Sequence, residues 1–312
     1  MKKLEVRDGD AGARLDKLVV AETPGLGRAA AKRLFDEGRV RVTPAGQDRP
    51  RKAAKGDVAA KGDVIEIDFD EAAAAGAIAD PDAPLTIVLE RPDLLVADKP
   101  AGQPSAPLDP GERGTLANAV LARYPEVASI GFSPREPGLV HRLDTDTSGL
   151  LLIARTAAAF DTLARALKEG RLDKRYHLLC QGGDLPESGT IEIPLAPHPK
   201  DRRRVYPCIH PRDVARYSPR PAVTEYTRKR ACGDLWLVEA RAAKASRHQI
   251  RAHFAAIGHP LAGDSLYGGP ALPGLSRHAL HAASIVWTGD AVVPAFHVIS
   301  PLPEDMRRIV ES

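Results

Sequence analysis

Cysteine is scarce in this chain, with three among 312 residues. Cys180, Cys208 and Cys232 are an odd set without C-x-x-C spacing, which argues against a disulfide framework and a cysteine-built zinc site. They read as small buried fillers. Long apolar runs are missing too. The stretch from Gly149 to Ala154 is far short of the roughly 20 residues a bilayer helix needs, so no membrane span is expected. The N-terminus, Met1-Lys2-Lys3-Leu4-Glu5-Val6-Arg7-Asp8, turns acidic before an apolar core can form and does not read as a secretion signal. The expected compartment is the cytoplasm. There is no internal repeat, and low complexity is confined to residues 71–84.

What is present is enough for one large domain and a small one: 43% of the residues are hydrophobic, sufficient for a sizeable core. The net charge of +3 averages over segments of opposite sign. From Arg28 to Lys61 there are ten Lys/Arg against four Asp/Glu, and from Lys200 to Arg230 ten against three. Between Asp68 and Asp93 seven acids face one Arg. Two basic surfaces separated by an acidic spacer suggest a polyanion held at two places, because phosphate contacts supply most sequence-independent nucleic-acid affinity. Solvated faces of an Arg-rich protein would give the same counts.

Leu15, Leu18 and Val19 fall at i, i+3 and i+4, as do Ala31, Leu34 and Phe35, which predicts two short amphipathic helices, the second stopped by Gly38. Arg39 to Val42 and Val64 to Ile67 alternate as strands do. Residues 71–84 mix small residues, acids and prolines without periodicity, so a small domain is expected over 1–70, a linker over 71–84 and a large domain over 85–312. Strands are predicted at Leu94–Ala97, Gly149–Ala154, Tyr176–Cys180, Val223–Thr227, Leu235–Ala240 and Ser284–Trp287. Phe160, Leu163, Ala164 and Leu167 make a helical stripe closed by Gly170. Ile250, Phe254 and Ile257 make another, with Ser246 as its N-cap and Gly258 as its stop. Irregular strand spacing favours an α+β fold over a doubly wound sheet.

The chemistry concentrates in Val140-His141-Arg142-Leu143-Asp144-Thr145-Asp146-Thr147-Ser148-Gly149, a polar turn running straight into the apolar Leu150 to Ile153. Polar residues at the edge of a buried strand sit on a rigid scaffold, where a reactive group is held accurately. Read alone, the segment admits a calcium loop, a phosphotransfer site or a capped turn with surface acids. The calcium pattern fits at Asp144, Asp146, Ser148 and Gly149, but Arg155 stands where a bidentate Glu is required. Asp144-Thr145-Asp146-Thr147 fits the first four positions of the D-x-D-x-T of magnesium-dependent phosphatases with an aspartate nucleophile. His141 and Arg142, however, interrupt the strand that should precede it, and no acidic metal pair follows. A second polar cluster, Ser246 to His253, presents Arg247, His248 and Arg251 as one cationic helix face, with Arg251 at i+4 from Arg247 and at i+3 from His248. A carboxylate beside such a face stays ionised. The pairs His248/His253 and His278/His281 lack the Glu of H-E-x-x-H, and Arg251 repels a metal, so no metal site is expected.

Together these segments resemble the RluA family of pseudouridine synthases over nearly the whole chain. His141-Arg142-Leu143-Asp144 through Thr147-Ser148-Gly149-Leu150-Leu151-Leu152 with Ala154-Arg155 matches the family's catalytic motif. Lys174-Arg175-Tyr176 matches K-x-Y, and His248-Gln249-Ile250-Arg251 with Gly258-His259-Pro260 and Gly263-Asp264 through Tyr267-Gly268 matches the third motif, in the family's order. Asp98-Lys99-Pro100-Ala101-Gly102 and Leu280-His281-Ala282 are similar to further strands of the same domain. Lys244-Ala245-Ser246 departs from the family's usual T-G-R. The first 70 residues resemble the small RNA-binding domain named for the fourth protein of the small ribosomal subunit, through Arg14-Leu15-Asp16-Lys17-Leu18 and Gly62 to Ile67. Gly27-Arg28 and Val42-Thr43-Pro44 depart from that domain's pattern.

The resemblance implies a mixed, mainly antiparallel central sheet flanked by helices and loops, plus a small N-terminal α/β RNA-binding domain. It implies isomerisation of uridine to pseudouridine, in large-subunit ribosomal RNA, without a cofactor or metal; a monomer is the default expectation. Asp144 would be the catalytic carboxylate, Arg251 its ionic partner and Tyr176 the aromatic under the base. His141, Arg142, Thr147, Lys174, His248 and Ile250 would surround the flipped nucleotide, with Arg142 filling the space it leaves. Arg14, Arg28, Lys32, Arg33, Arg202, Arg203 and Arg204 are the candidate RNA-backbone contacts. An RNA-binding protein without catalysis, or a magnesium-dependent phosphatase, is the alternative.

Overall fold

The computed structural model describes residues 1–23, 26, 28–69, 76–109 and 111–312, apart from the side chains at 28–30. The chain divides into two compact units. The first comprises Met1–Ala77 with Leu108–Glu112 and Ser133–Arg135, and the second the remainder.

In the first unit, strands β1 (Lys2–Glu5), β2 (Val40–Thr43), β3 (Arg51–Lys52) and β4 (Val64–Ile67) form a sheet in the order β1-β4-β2-β3. Helices α1 (Leu15–Ala21) and α2 (Arg28–Asp36) accompany it. The apolar triads do what their spacing requires: Leu15, Leu18 and Val19 share one core with Ala31, Leu34 and Phe35 and with the inward strand residues Val40, Val42, Ile65 and Ile67. Gly38 takes a φ of 73° after α2, and the Arg39 N–H closes back on the Leu34 carbonyl at 2.9 Å. That closure uses Arg39, so β2 begins one residue later than the alternation predicts.

Of the low-complexity stretch, residues 71–75 lie outside the described residues. Residues 78–84 belong to the second unit. There the Asn118 side chain donates to the Ile78 carbonyl at 2.7 Å, Asp80 accepts from the Gly114 N–H at 3.0 Å, and Ala83 is buried. Small residues and prolines that composition reads as spacer are here partly packing material.

The second unit is built on a nine-stranded sheet. Its strands are β5 (Ile87–Glu90), β6 (Leu94–Lys99), β7 (Ser148–Ala154), β8 (Asp173–Gln181), β9 (Ser188–Ile191), β12 (Thr224–Cys232), β13 (Leu235–Arg241), β14 (Leu280–Trp287) and β15 (Phe296–Ile299). β10 (Leu195–Pro197) and β11 (Val205–Pro207) form a separate hairpin. The order is β5-β6-β7-β14-β8-β13-β12-β9, with β15 also on β14, and only β7 and β14 run parallel. Helices α3 (Leu116–Arg123), α4 (Ala157–Glu169), α5 (Pro211–Tyr217), α6 (Gln249–Ala256) and α7 (Glu304–Glu311) complete it. The fold is α+β, as expected. Among the described residues no helix is long and apolar enough to cross a membrane.

All of β7 is buried. Its Leu150, Leu152 and Ala154 pack with Phe160, Leu163 and Ala166 of α4. On β8 the side chains of Tyr176, Leu178 and Cys180 join Ile250 and Phe254 of α6 in a second core. Cys180 and Cys208 are buried, whereas Cys232 is only partly so and is not the filler expected.

Where β7 meets β14 the backbones come unusually close. Gly149 has a φ of 110°, and a Cβ added there would lie 2.3 Å from the Ala282 carbonyl oxygen. No side chain fits, so the glycine sets the spacing of the two strands that follow the polar turn and the Arg277–Ala279 segment. Gly149→Ala should lower stability by about 3 kcal/mol or more, since neither backbone can yield without shifting the sheet. Urea denaturation with an unchanged midpoint would refute this close approach.

Candidate active site

The polar turn before β7 is held at nearly every peptide. The Leu143 carbonyl accepts from the Ser105 hydroxyl at 2.7 Å, and that of Asp144 from the Thr147 N–H at 3.0 Å. The Thr145 carbonyl accepts from the Gly102 N–H at 3.0 Å and from Lys99 Nζ at 2.9 Å. The Asp146 carbonyl accepts from Arg277 Nη1 at 3.1 Å. Lys99 is wholly buried, and its Nζ also donates to the carbonyls of Pro100 and Gln103, at 2.9 and 2.7 Å. Three acceptors match the three protons of an ammonium. Burial pulls the Lys99 pKa down to about 7, against the opposing pull of Asp146 and Asp144.

With its backbone fastened, Asp144 presents a carboxylate that is 23% exposed. Arg251 Nη1 donates to Oδ2 at 3.0 Å. Arg251 is in turn gripped at two points by Asp264, Nε to Oδ2 at 2.7 Å and Nη2 to Oδ1 at 2.9 Å. A two-point grip fixes the plane of a guanidinium and therefore the aim of its third nitrogen. Burial works against the Arg251 charge, but Asp264 and Asp144 outweigh it and raise its pKa above the ordinary value. The Oδ1 of Asp144 takes no hydrogen bond from the described residues.

His248 Nε2 stands 3.7 Å from Asp144 Oδ2, and Nδ1 is 3.1 Å from the Tyr267 hydroxyl. That hydroxyl accepts the Val205 N–H at 2.9 Å, so its own proton is available to Nδ1. The tautomer this favours carries its hydrogen on Nε2, toward Asp144. Burial lowers the His248 pKa, and Asp144 opposes the shift. His248 adopts a φ of 53°, costly backbone for a residue other than glycine. The Tyr267 ring has the guanidinium carbons of Arg251 and Arg204 each 5.2 Å from its centroid.

Helix α6 begins at Gln249 and not near Ser246. Ser246 does not cap it. Its N–H and hydroxyl instead bond the Gln249 side-chain oxygen, at 3.0 and 3.3 Å. Arg247 thus lies outside the helix and off the expected cationic face, donating to the carbonyls of Arg202 and Arg203 at 3.0 and 2.7 Å.

The structure brings Asp144, Arg251, His248 and Tyr176 together. Burial and then the Asp144 charge raise the Tyr176 pKa, so the phenol keeps its proton at neutral pH. Ile250 packs in the same core as Tyr176. Lys174 is 3% exposed, and burial pulls its pKa down to about 8. His141 Nε2 accepts the Leu152 N–H at 3.2 Å, and burial takes its pKa down to about 3. It braces β7 as a neutral ring. Thr147 is buried against His278 at 2.8 Å. Arg142 is exposed and rests on Glu136 at 2.9 Å.

Among the basic candidates, Lys32, Arg33, Arg202 and Arg203 are exposed. Arg203 pairs with Asp201 at 3.0 Å, and Arg14 with Asp16 at 3.0 Å. The Arg28 side chain lies outside the described residues. No sequence pattern assigns a role to Lys99, Asp264, Tyr267 or Arg277. Asp264 and Tyr267 are nonetheless matched positions of the third motif. Among the described residues no group of three or more His, Cys, Asp or Glu could hold a metal ion.

A sequence profile described as RNA pseudouridylate synthase matches residues 93–256. The chain is 32% identical over 311 residues to an uncharacterized RNA pseudouridine synthase of Synechocystis, covering 98% of this chain and 90% of the relative. It is 30% identical over 325 residues to the ribosomal large subunit pseudouridine synthase D of Xanthomonas campestris, covering 100% and 92%. Among solved structures, human RNA pseudouridylate synthase domain containing 1 is similar with a TM-score of 0.54 and 26% identity, over 70% of this chain and 83% of that one.

The buried histidines beneath the turn make the fold sensitive to acid. Burial takes the pKa of His278 from 6.5 down to about 2 and that of His281 to about 4. Above pH 6.5 both rings are neutral whether the chain is folded or not. Below it the unfolded chain binds protons that the folded one refuses, so stability falls with pH, by up to about 2 kcal/mol per ring at pH 5. The melting temperature should therefore drop between pH 7 and 5, and His278→Gln should flatten the profile. An equally steep profile in that variant would contradict a neutral His278.

Proposed function

Because the chain belongs to the RNA pseudouridylate synthase family, whose reaction isomerises uridine in RNA, we propose that Asp144 is its catalytic carboxylate and large-subunit ribosomal RNA its substrate. The reaction breaks the bond from the ribose anomeric carbon to the uracil nitrogen, turns the base, and joins the same carbon to C5. Atoms are conserved. What is required is a carboxylate that attacks the anomeric carbon, or assists elimination, while positive character develops on the sugar.

The observation that carries the assignment is the one-sided engagement of Asp144. Oδ2 is held by Arg251 at 3.0 Å, while Oδ1 is left without a hydrogen bond from the described residues. A carboxylate so divided keeps a fixed rotamer and still offers an oxygen to the sugar. Tyr176 enters as a neutral phenol, a platform for the base more than a ready phenolate. Loss of the C5 proton closes the reaction.

The base must leave its stack before Asp144 can reach the sugar, at a cost of a few kcal/mol. Arg142 is suited to the vacated place. Its ion pair with Glu136 is exposed on the arginine side, with 58% of that side chain accessible, and such pairs are worth about 1 kcal/mol or less, so RNA can draw the guanidinium away. Lys32 and Arg33, exposed on α2, together with Arg202 and Arg203, supply charge for the phosphate backbone. The name of the Xanthomonas relative supports the choice of ribosomal RNA.

Asp144→Asn should lower turnover by about a thousandfold or more while RNA affinity stays within about twofold. Tritium release from C5-labelled uridine in ribosomal RNA, measured with a chelator present, tests this. Release at the parent rate from the variant would sink the assignment, and release that vanishes with the chelator would point to a metal-dependent reaction. Replacing Lys32 and Arg33 together by Ala should weaken RNA binding by about tenfold at moderate salt and flatten its salt dependence, with turnover at saturating RNA unchanged. An unchanged salt slope would remove these two residues from the interface.

A further inference from the structure

A second guanidinium near Asp144 repeats the arrangement of the first. Arg277 is 6% exposed and lies just before β14. Asp305, in the first turn of α7, grips it at two points, Nε to Oδ2 at 2.7 Å and Nη2 to Oδ1 at 2.9 Å. The remaining nitrogen, Nη1, meets the carbonyls of Asp146, His278 and Leu280 at 3.1, 3.2 and 3.1 Å. It is therefore bonded both to the turn that carries Asp144 and to the segment that leads into β14.

We propose that Arg277, oriented by Asp305, is a positioning residue that couples helix α7 to the placement of the Asp144 carboxylate. The Asp146 carbonyl accepts a hydrogen bond only from Arg277 among the described residues. Asp146 is exposed, so once this bond is removed its peptide has no tie to the rest of the described residues and turns toward solvent. The peptide in question is two residues from Asp144, so its movement displaces the carboxylate relative to Arg251 and to the sugar. A misplacement of about 1 Å costs on the order of a hundredfold in rate. Because Arg277 is buried, it adds nothing to RNA affinity, and its effect falls on turnover alone.

This inference rests on Asp144 being the catalytic carboxylate, so Asp144→Asn is measured alongside. The variants are Arg277→Met, Arg277→Lys and Asp305→Asn in the full chain, assayed at a temperature where circular dichroism reports each one folded. Arg277→Met should lower kcat by about a hundredfold with KM within about twofold, and Arg277→Lys should recover about tenfold of that loss through one retained carbonyl bond. If Arg277→Met does not fold, Asp305→Asn decides. It keeps the guanidinium but loosens its aim, and kcat should fall by about threefold to tenfold with RNA affinity unchanged. A folded Arg277→Met or Asp305→Asn with the parent kcat overturns the proposal, as does a loss carried by KM. If Asp144→Asn is inactive while the Arg277 variants are fully active, only this inference fails. If Asp144→Asn is active, the catalytic assignment fails with it.

Discussion

The site depends on the grip of Asp264 on Arg251. A guanidinium facing a lone carboxylate in a half-exposed site could swing, and with it the carboxylate. Here two of its nitrogens are committed to an acid that is 1% exposed, and only the third is left to face Asp144. The acid that orients Arg251 is thereby separate from the acid that Arg251 faces. Removing either charge from such a buried set would leave the others uncompensated, which costs several kcal/mol. The same chemistry recurs at Arg277 and Asp305, where the third nitrogen addresses a peptide carbonyl instead of a side chain. Two rigid forks, one facing the Asp144 carboxylate and one on the Asp146 carbonyl two residues on, hold the polar turn at two points.

That rigidity has a cost in buried polar surface, which is met by matching. Lys99 finds three carbonyls, Thr147 finds His278, and Ser148 finds His281 at 3.0 Å. Gly149 then allows β7 to lie against β14 closely enough for these partners to meet. The parallel pairing of those two strands, set in an otherwise antiparallel sheet, brings residues 148–149 opposite residues 281–282. Moving the register by one residue would turn Thr147 and Ser148 away from His278 and His281.

The sequence is legible where local pattern and tertiary packing agree. The leucine-rich run of β7, the α4 stripe ended by Gly170, and the two helical triads of the first unit are all of this kind, since periodicity alone predicts which face is buried. A serine before an apolar stripe is an ordinary cap signal, which is why pattern alone places the α6 start near Ser246. The Gln249 side chain has instead captured Ser246, and His248 occupies the left-handed region. Short edge strands such as β5 and β9, and the arginine-flanked hairpin β10–β11, lack the alternation that would announce them. The motif residues Asp144, Tyr176 and Arg251 could be picked out by resemblance, but no local pattern says that Asp264 orients Arg251 or that Arg277 reaches Asp146. Those relations join parts of the chain 13 and 131 residues apart, and only the folded chain states them.

The pairing of β7 with β14 also governs when the ordered polar turn can exist. A chain emerging from the ribosome exposes β6, the polar turn and β7 long before Arg277, His278 and His281 have been made. Until then β7 lacks its neighbour on one side, and Asp146, Thr147 and Ser148 lack their partners. Closing so long a loop is slow compared with forming helices. A nascent or prematurely terminated product ending before the last strands would carry the Asp144 motif intact in sequence yet lack the partners that hold its turn, so synthesis of residues 277–312 is the step that completes the site.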